Sequence, residues 1–539
     1  MHDHDFIIIG AGSAGCVLAN RLTEDGRYSV LLLEAGGKDT SPMIHIPVGY
    51  ATTLKDPKVN WLFDTEVDPT SGNRAHVWPR GKVLGGSSSI NGLLYVRGQA
   101  ADFDGWSQLG CTGWGYADCL PYFRRAENNE RLRDELHGND GPLHVSDPRD
   151  RHPVSDACIE GGVELGLPFN DDINGASQDG ISYFQMTMHN GRRWSAAMAY
   201  LRPALGRSNL TLEIRAQAET VTFEGMRATG VRYTQNGKSI TAKARREVIL
   251  CGGAVNSPQL LELSGIGDPA VLAAAGIPVR HALPGVGGNM QDHYMVGMQF
   301  RLKPGAPSSN ASSRGWRLVV EAAKYAAARR GLLTMSAAHV QAYVRTRPGL
   351  SGPDVQYHIA PATADFATMA TTGEMTLEDA PGLTIAPCQL RPESRGTIHV
   401  RSADPFAPPA IRPNYLSDAM DQATIVAGLK WGRALGHTKA LAGYVDHETM
   451  PGDAAADDAA LLEFARETGS TLYHPVGTCR MGQAGDGGAV VDPAGRVHGI
   501  AGLRVVDASV MPRLVSGNTN AATIMIAEKI SDAIRAEPA

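Results

Sequence analysis

A glycine-rich turn between an apolar run and an amphipathic run constrains this 539-residue chain more than any other feature. Phe6, Ile7, Ile8 and Ile9 have strand character; Gly10-Ala11-Gly12-Ser13-Ala14-Gly15 follows at once; Ala14, Val17, Leu18 and Leu22 then recur with helical spacing. Residues 30–33 read as a second strand that closes on Glu34. Gly10 permits the tight turn, Gly12 lets the backbone approach a pyrophosphate, and Gly15 lets the helix pack closely on the strand. Unpaired N–H groups at the start of that helix favour a phosphate. A carboxylate at Glu34 suits a ribose diol and repels a 2′-phosphate. The unit therefore predicts an α/β domain that binds a dinucleotide. It does not separate a nicotinamide cofactor from a flavin.

The rest of the sequence narrows the class. Fifty Lys and Arg against 56 Asp and Glu give a net charge of −6, so no nucleic-acid partner is expected. The seven cysteines contain no C-x-x-C pair, which predicts neither a zinc site nor a disulfide framework. They read as reduced, buried thiols in a cytoplasmic setting, and no metal site is expected. No signal peptide is read at the start, and no apolar run reaches the roughly 18 residues of a membrane span.

Strand patterns return over residues 209–250, including Leu210–Ile214 and 248–250. A turn at Gly252-Gly253 leads into a helix over 257–263, with Pro258 expected in its first turn and Asn256 or Ser257 as cap. Residues 301–469 carry loops, an Ala/Arg-rich helix and a strand at 355–359. The last seventy residues return to strand (503–506), loop (507–517) and helix (520–534). The simplest arrangement is a discontinuous dinucleotide domain of residues 1–155, 205–300 and 470–539, with a second domain of residues 156–204 and 301–469 inserted.

Two further segments carry chemistry. In Arg80-Gly81-Lys82-Val83-Leu84-Gly85-Gly86-Ser87-Ser88-Ser89-Ile90-Asn91, consecutive small residues expose backbone amides to an anion or a planar ring. In Tyr473-His474-Pro475-Val476-Gly477, the proline holds His474 extended in a loop. Asn518, Thr519 and Asn520 lie at the start of the last helix.

These motifs, in this order and over essentially the whole chain, resemble the glucose–methanol–choline (GMC) family of flavin oxidoreductases, closest to its bacterial branch of choline dehydrogenases and alkane-pathway alcohol dehydrogenases. The resemblance implies a Rossmann-like FAD-binding domain and an inserted substrate domain built on an antiparallel sheet. It implies that Gly10, Gly12, Ser13, Ala14 and Gly15 take the pyrophosphate and that Glu34 and Ala35 flank the adenosine ribose. Ala218 would meet the adenine. Gly86, Asn91, Tyr473, Asp507, Ala508, Thr519 and Asn520 would surround the flavin end. His474 matches the catalytic base and Asn518 its partner.

The chemistry suits these residue types, because imidazole can take a hydroxyl proton near neutral pH and an amide can donate to the developing alkoxide. The expected reaction is oxidation of a primary, uncharged alcohol to the aldehyde, with electrons passed to a quinone or another non-oxygen acceptor. The alternatives are an alcohol oxidase using oxygen, a choline dehydrogenase, or an FAD-containing lyase without redox chemistry. Ile90 stands where some relatives carry a histidine that tethers FAD, so the flavin is expected to be non-covalent. Met295 stands where choline-oxidising relatives carry a glutamate, and His339 where relatives often carry an acid; both are expected in the substrate pocket. Residues 314–330 fit either a basic amphipathic helix at the inner membrane surface or a solvated helix.

Overall fold

The computed structural model describes residues 3–364 and 376–537. Its first sheet has seven strands. Leu210–Ile214, Val30–Glu34, His4–Ile9 and Lys238–Leu250 lie side by side, and Leu503–Val505 joins the far side of Lys238–Leu250. The pairings among these five are parallel, with Phe6 opposite Val30, Ile9 opposite Leu250 and Val248 opposite Leu503. Parallel strands are covered on both faces, which explains why Val30–Glu34 is buried throughout and reads as an unbroken apolar run. The first half of Lys238–Leu250 leaves this layer and pairs antiparallel with Arg227–Gln235, which pairs in turn with Ala216–Glu224.

Helix Ser13–Thr23 packs against helix Asn520–Ala536, so residues five hundred positions apart share one face of the sheet. Buried Glu528 joins them: Arg21 holds it by two bonds of 2.9 and 2.8 Å. A Cβ on Gly15 would sit 1.9 Å from the Gly10 carbonyl oxygen, so only glycine allows this helix so close to the strand turn.

The second sheet has eight strands and is antiparallel. Its main path runs Val445–Met450, Met298–Leu302, Gly382–Gln389, Val355–Ala360, Val340–Val344, Gly180–Tyr183, and the short strands Tyr294–Met295 and Ser470–Thr471 attach to it. Helix Ala419–Gly436, capped by the Asp418 side chain on the Met420 N–H (2.7 Å), packs on this sheet. The expected change of domain at 300/301 falls too late, since Tyr294–Met295 and Met298–Leu302 already belong to the second sheet. The two-residue strand Tyr294–Met295 has no alternation for a sequence to display, and Met298–Leu302 is buried at four of its five positions.

The helix after Gly252 also differs from expectation. It runs Gly253–Leu263, which puts Pro258 in its interior rather than its first turn, and Gly252 stands at the cap. Proline there cannot donate to the carbonyl of Ala254. The Thr478 hydroxyl supplies that bond instead, at 2.7 Å. Ser257 is not a cap but a link: its hydroxyl accepts from the Gly252 N–H and donates to Asp507 at 2.6 Å. All seven cysteines are buried and unpaired.

Candidate active site

A cavity of about 560 Å³ runs from the carboxyl ends of the parallel strands to the second sheet. Its walls include Gly10, Gly12, Ser13, Ala14, Glu34, Ala35, Gly86, Asn91, Ala218, Asp507, Ala508, Thr519 and Asn520 at one end, and Met295, Tyr473, His474 and Asn518 at the other. Two expected residues are absent from the wall. Gly15 serves packing, as above. His339 is buried elsewhere, with Nδ1 bonded to the Ser155 hydroxyl (2.9 Å), Nε2 donating to the Asp150 carbonyl (3.1 Å) and its ring against Tyr183. It precedes strand Val340–Val344, and its side chain packs among these groups rather than in the cavity. The sheet histidine that lines the cavity alongside His474 is His358, on the neighbouring strand.

The dinucleotide end fits FAD. Gly86 has φ +52°, and a Cβ there would lie 2.7 Å from the Gly12 Cα, so two backbone segments without side chains converge on one narrow part of the cavity. Glu34 is buried; one carboxylate oxygen accepts from the Ala11 N–H (2.9 Å) and the other from the Gly36 N–H (2.8 Å). Each oxygen keeps a lone pair for a ribose hydroxyl. Burial pushes the Glu34 carboxyl up to about 7, the two backbone donors opposing this only in part. Hydroxyl donors would stabilise its charged form. Ser13 donates to Asn520 at 2.7 Å, joining the starts of the first and last helices at the phosphate site.

The chemical end is organised by Gln291-Asp292-His293, a segment that carries none of the expected site residues. The His293 Nε2 lies 3.0 Å from the Leu390 carbonyl, which only accepts, so Nε2 carries the proton. Burial lowers His293 to about 4, so the ring is neutral and its Nδ1 is a bare acceptor. That Nδ1 lies 2.9 Å from the His474 Nδ1, which must therefore be the donor. Burial, and then the neighbouring His293, His358 and Arg80, hold His474 well below the usual imidazole range. The neutral His474 ring thus has its proton on Nδ1 and a bare Nε2. The Asn518 amide nitrogen lies 3.2 Å from that Nε2 and donates to it. A single backbone carbonyl, passed through two rings, leaves the His474 Nε2 without a proton and able to accept one.

Asp292 fixes the loop that carries His474. It accepts from the His474 N–H (2.7 Å), the Thr471 hydroxyl (2.5 Å) and the Tyr415 hydroxyl. Burial nonetheless raises it to about 6. Arg80 donates to the Tyr473 carbonyl at 2.5 Å and helps hold Tyr473 at φ +66°. Gln291 donates to the Pro512 carbonyl (3.2 Å) and accepts from the Leu514 N–H (3.2 Å), tying the base loop to the segment before Asn518. Both ring nitrogens of His358 and the amide oxygen of Asn518 are buried without a partner. Unsatisfied polar atoms on a cavity wall mark where a polar ligand binds.

Elsewhere Asp134, His137 and Asp172 converge. His137 is held by Asp172 and Glu127, which raise it to about 9. Its nitrogens carry protons, and it serves as an ion-pair partner.

A dinucleotide-binding sheet joined to an antiparallel sheet, with a neutral imidazole and an amide on the cavity wall where the two meet, is the arrangement of a flavin-dependent oxidoreductase. The chain belongs to the GMC oxidoreductase family: its N-terminal family model matches residues 4–295 and its C-terminal model residues 392–527. It is 43% identical to an alcohol dehydrogenase [acceptor] of Pseudomonas putida, over 98% of this chain and 95% of that protein. It is 42% identical to an oxygen-dependent choline dehydrogenase of Pseudomonas aeruginosa, over 99% and 95%. Among solved structures it is similar to pyridoxine 4-oxidase from Mesorbium loti (TM-score 0.89, 30% identity, 99% of this chain and 100% of that chain) and formate oxidase of Aspergillus oryzae (TM-score 0.91, 26% identity, 99% and 98%).

Proposed function

We propose that this protein oxidises a primary, uncharged alcohol to its aldehyde and passes the electrons to a quinone or another non-oxygen acceptor. The substrate hydroxyl displaces the Asn518 N–H from the His474 Nε2, and that nitrogen then takes the hydroxyl proton. The imidazolium that results keeps its Nδ1–H bond to His293, now charge-assisted and stronger. The Asn518 amide donates to the oxygen as it loses its proton. FAD, when bound, supplies the acceptor for the hydride leaving the same carbon. His358 lies ready to donate to the substrate oxygen or to a second polar group on the substrate. FAD is held without a covalent bond, because Ile90 offers no nucleophile and packs with Ile44, Val59 and Val83. The protein works in the cytoplasm, peripheral to the inner membrane.

The observation that carries the substrate reading is the absence of an acid from the described wall around the base. The carboxylates that line the cavity, Glu34 and Asp507, belong to the cofactor end, Met295 lines the other end, and the full charge nearby is the cation Arg80. A quaternary ammonium would lose hydration without gaining a counter-charge. Tyr473, expected at the flavin end, lines the cavity, and so do Tyr50 and Trp61, which the sequence did not suggest. Trp61, however, is stacked on Phe63 and already carries the Lys82 ammonium 4.1 Å from its ring centre. Steady-state kinetics with a dye acceptor should give kcat/KM for hexanol and benzyl alcohol above that for choline. A value for choline equal to both would overturn the reading. Leu472 lies on the cavity wall and supports exclusion of oxygen; flavin reduced anaerobically should reoxidise slowly in air and fast with a quinone.

A further inference from the structure

Helix Gly315–Ala328 is built inside out. Its buried residues are Glu321 and Tyr325, four apart and therefore on one face. Glu321 is held there by the Leu332 N–H (2.7 Å) and Lys324 (2.6 Å). The opposite face carries Trp316, Val319, Val320, Ala323 and Ala327, at i, i+3, i+4, i+7 and i+11, and all are exposed. Trp316 is 73% and Val319 69% exposed. A solvated surface helix turns its apolar stripe inward; this one turns it outward. No helix among the described residues is long and apolar enough to cross a membrane, so the stripe is not part of a span.

Charge selects what covers the stripe. Residues 314–330 hold Arg314, Arg317, Lys324, Arg329 and Arg330 against the single acid Glu321, in a chain whose net charge is −6. Arg314 pairs with Asp379, Arg330 with Asp150 and Lys324 with Glu321, so the cations left to an outside partner are Arg317 and Arg329, which touch the Trp316 and Tyr325 rings. A second copy meeting this face to face would set cations against cations. An anionic bilayer meets both features at once: headgroups take Arg317 and Arg329, and the acyl boundary takes tryptophan and valine.

We infer that helix Gly315–Ala328 docks this enzyme on an anionic membrane surface, its Trp316–Val319–Val320 stripe lying in the headgroup–acyl boundary. This deepens the proposed use of a quinone and rests on it only for its purpose, since binding is read without turnover. The helix ends at Ala328, and the chain then turns through Arg329 and Gly331 into the short helix Leu332–Thr334 and reaches Ala337, which lines the cavity. Docking therefore brings the substrate end of the cavity toward the phase that stores apolar alcohols and quinones.

The holoenzyme should co-sediment with vesicles of phosphatidylglycerol mixed with phosphatidylcholine at low salt, and far less with phosphatidylcholine alone. Arg317→Gln should weaken partition about five-fold, the loss expected for one cation near an anionic surface. Trp316→Asp with Val319→Asp should abolish binding while leaving dye-coupled alcohol oxidation unchanged. If activity persists but the wild type fails to bind anionic vesicles, docking is overturned and the proposed reaction stands. If the double variant instead converts a dimer to a monomer on a sizing column with no vesicle binding in either form, the face belongs to a second copy and the inference fails.

Discussion

At the scale of single residues, the site depends on which nitrogen of His474 holds a proton. His474→Ala should keep FAD but slow flavin reduction by about 10²–10⁴-fold, the usual worth of general-base catalysis. Asn518→Ala should cost roughly 10²–10³-fold, the worth of one donor to a developing oxyanion. Both are read by anaerobic stopped-flow with saturating alcohol, and a near-normal rate in His474→Ala would remove the base from the mechanism. His293→Leu should slow reduction by about 10–100-fold, the range for losing the partner that orients a functional imidazole. Without its acceptor His474 is free to move the proton to Nε2, where it blocks the reaction. Its pKa should rise as well, because His293 is one of the groups depressing it. In the wild type His474 lies well below 6.5, so kcat/KM should be level above about pH 7 and fall only on the acid side of 6.5. In His293→Leu that acid limb should move upward in pH, and His293→Gln, which offers a new acceptor, should restore part of the rate. A uniform loss with an unmoved limb would assign His293 to packing alone. His474 and Asn518, which the structure brings within 3.2 Å of each other, could be singled out in the sequence because a pre-proline histidine and a helix-start asparagine are local features. His293, Asp292 and His358 were not, since their roles depend on a pairing 181 residues away in the chain and on strand register.

At the scale of elements, legibility followed burial pattern. The parallel strands announced themselves as short apolar runs, and Leu210–Ile214 was read at its observed bounds. The second sheet was read only as scattered strand patterns: Val340–Val344 and Val355–Ala360 are almost wholly buried, so the alternation expected of a sheet with one wet face is missing. Pro258 misled for another reason. Proline is disfavoured inside a helix unless something else satisfies the freed carbonyl, and here that partner is Thr478, 224 residues away. Thr478→Val should therefore leave the Ala254 carbonyl buried and unpaired, at a cost of about 1–3 kcal/mol. Thr478→Ser should retain most of the stability. Urea unfolding of the three proteins reads the difference, and equal midpoints would show that the carbonyl has another acceptable state.

At the scale of the whole molecule, the cofactor cavity is where the two sheets meet, its wall drawing on Glu34 and Ala218 from one and on Met295, His358 and Thr471 from the other. A ligand bound only by the folded chain stabilises it by mass action, by about 2.7 kcal/mol at a free concentration of 100 Kd. If FAD is non-covalent, as Ile90 implies, the melting temperature should climb with added FAD, and acid precipitation should release all of the flavin into the supernatant. Glu34→Gln gives the same argument an internal control. Its amide would place an NH2 against the N–H of either Ala11 or Gly36, both of which donate to Glu34 in the native protein. One ribose acceptor is lost with it, and a hydrogen bond to a charged group is worth about 1.5–3 kcal/mol, or roughly 10–100-fold in FAD affinity. The variant should therefore need that much more FAD to reach the same melting temperature, while its reduction rate at saturating FAD stays close to wild type, because Glu34 lies at the opposite end of the cavity from His474. Flavin retained in the acid pellet, together with a melting temperature indifferent to FAD in both proteins, would show that the cofactor is tethered through some residue other than position 90.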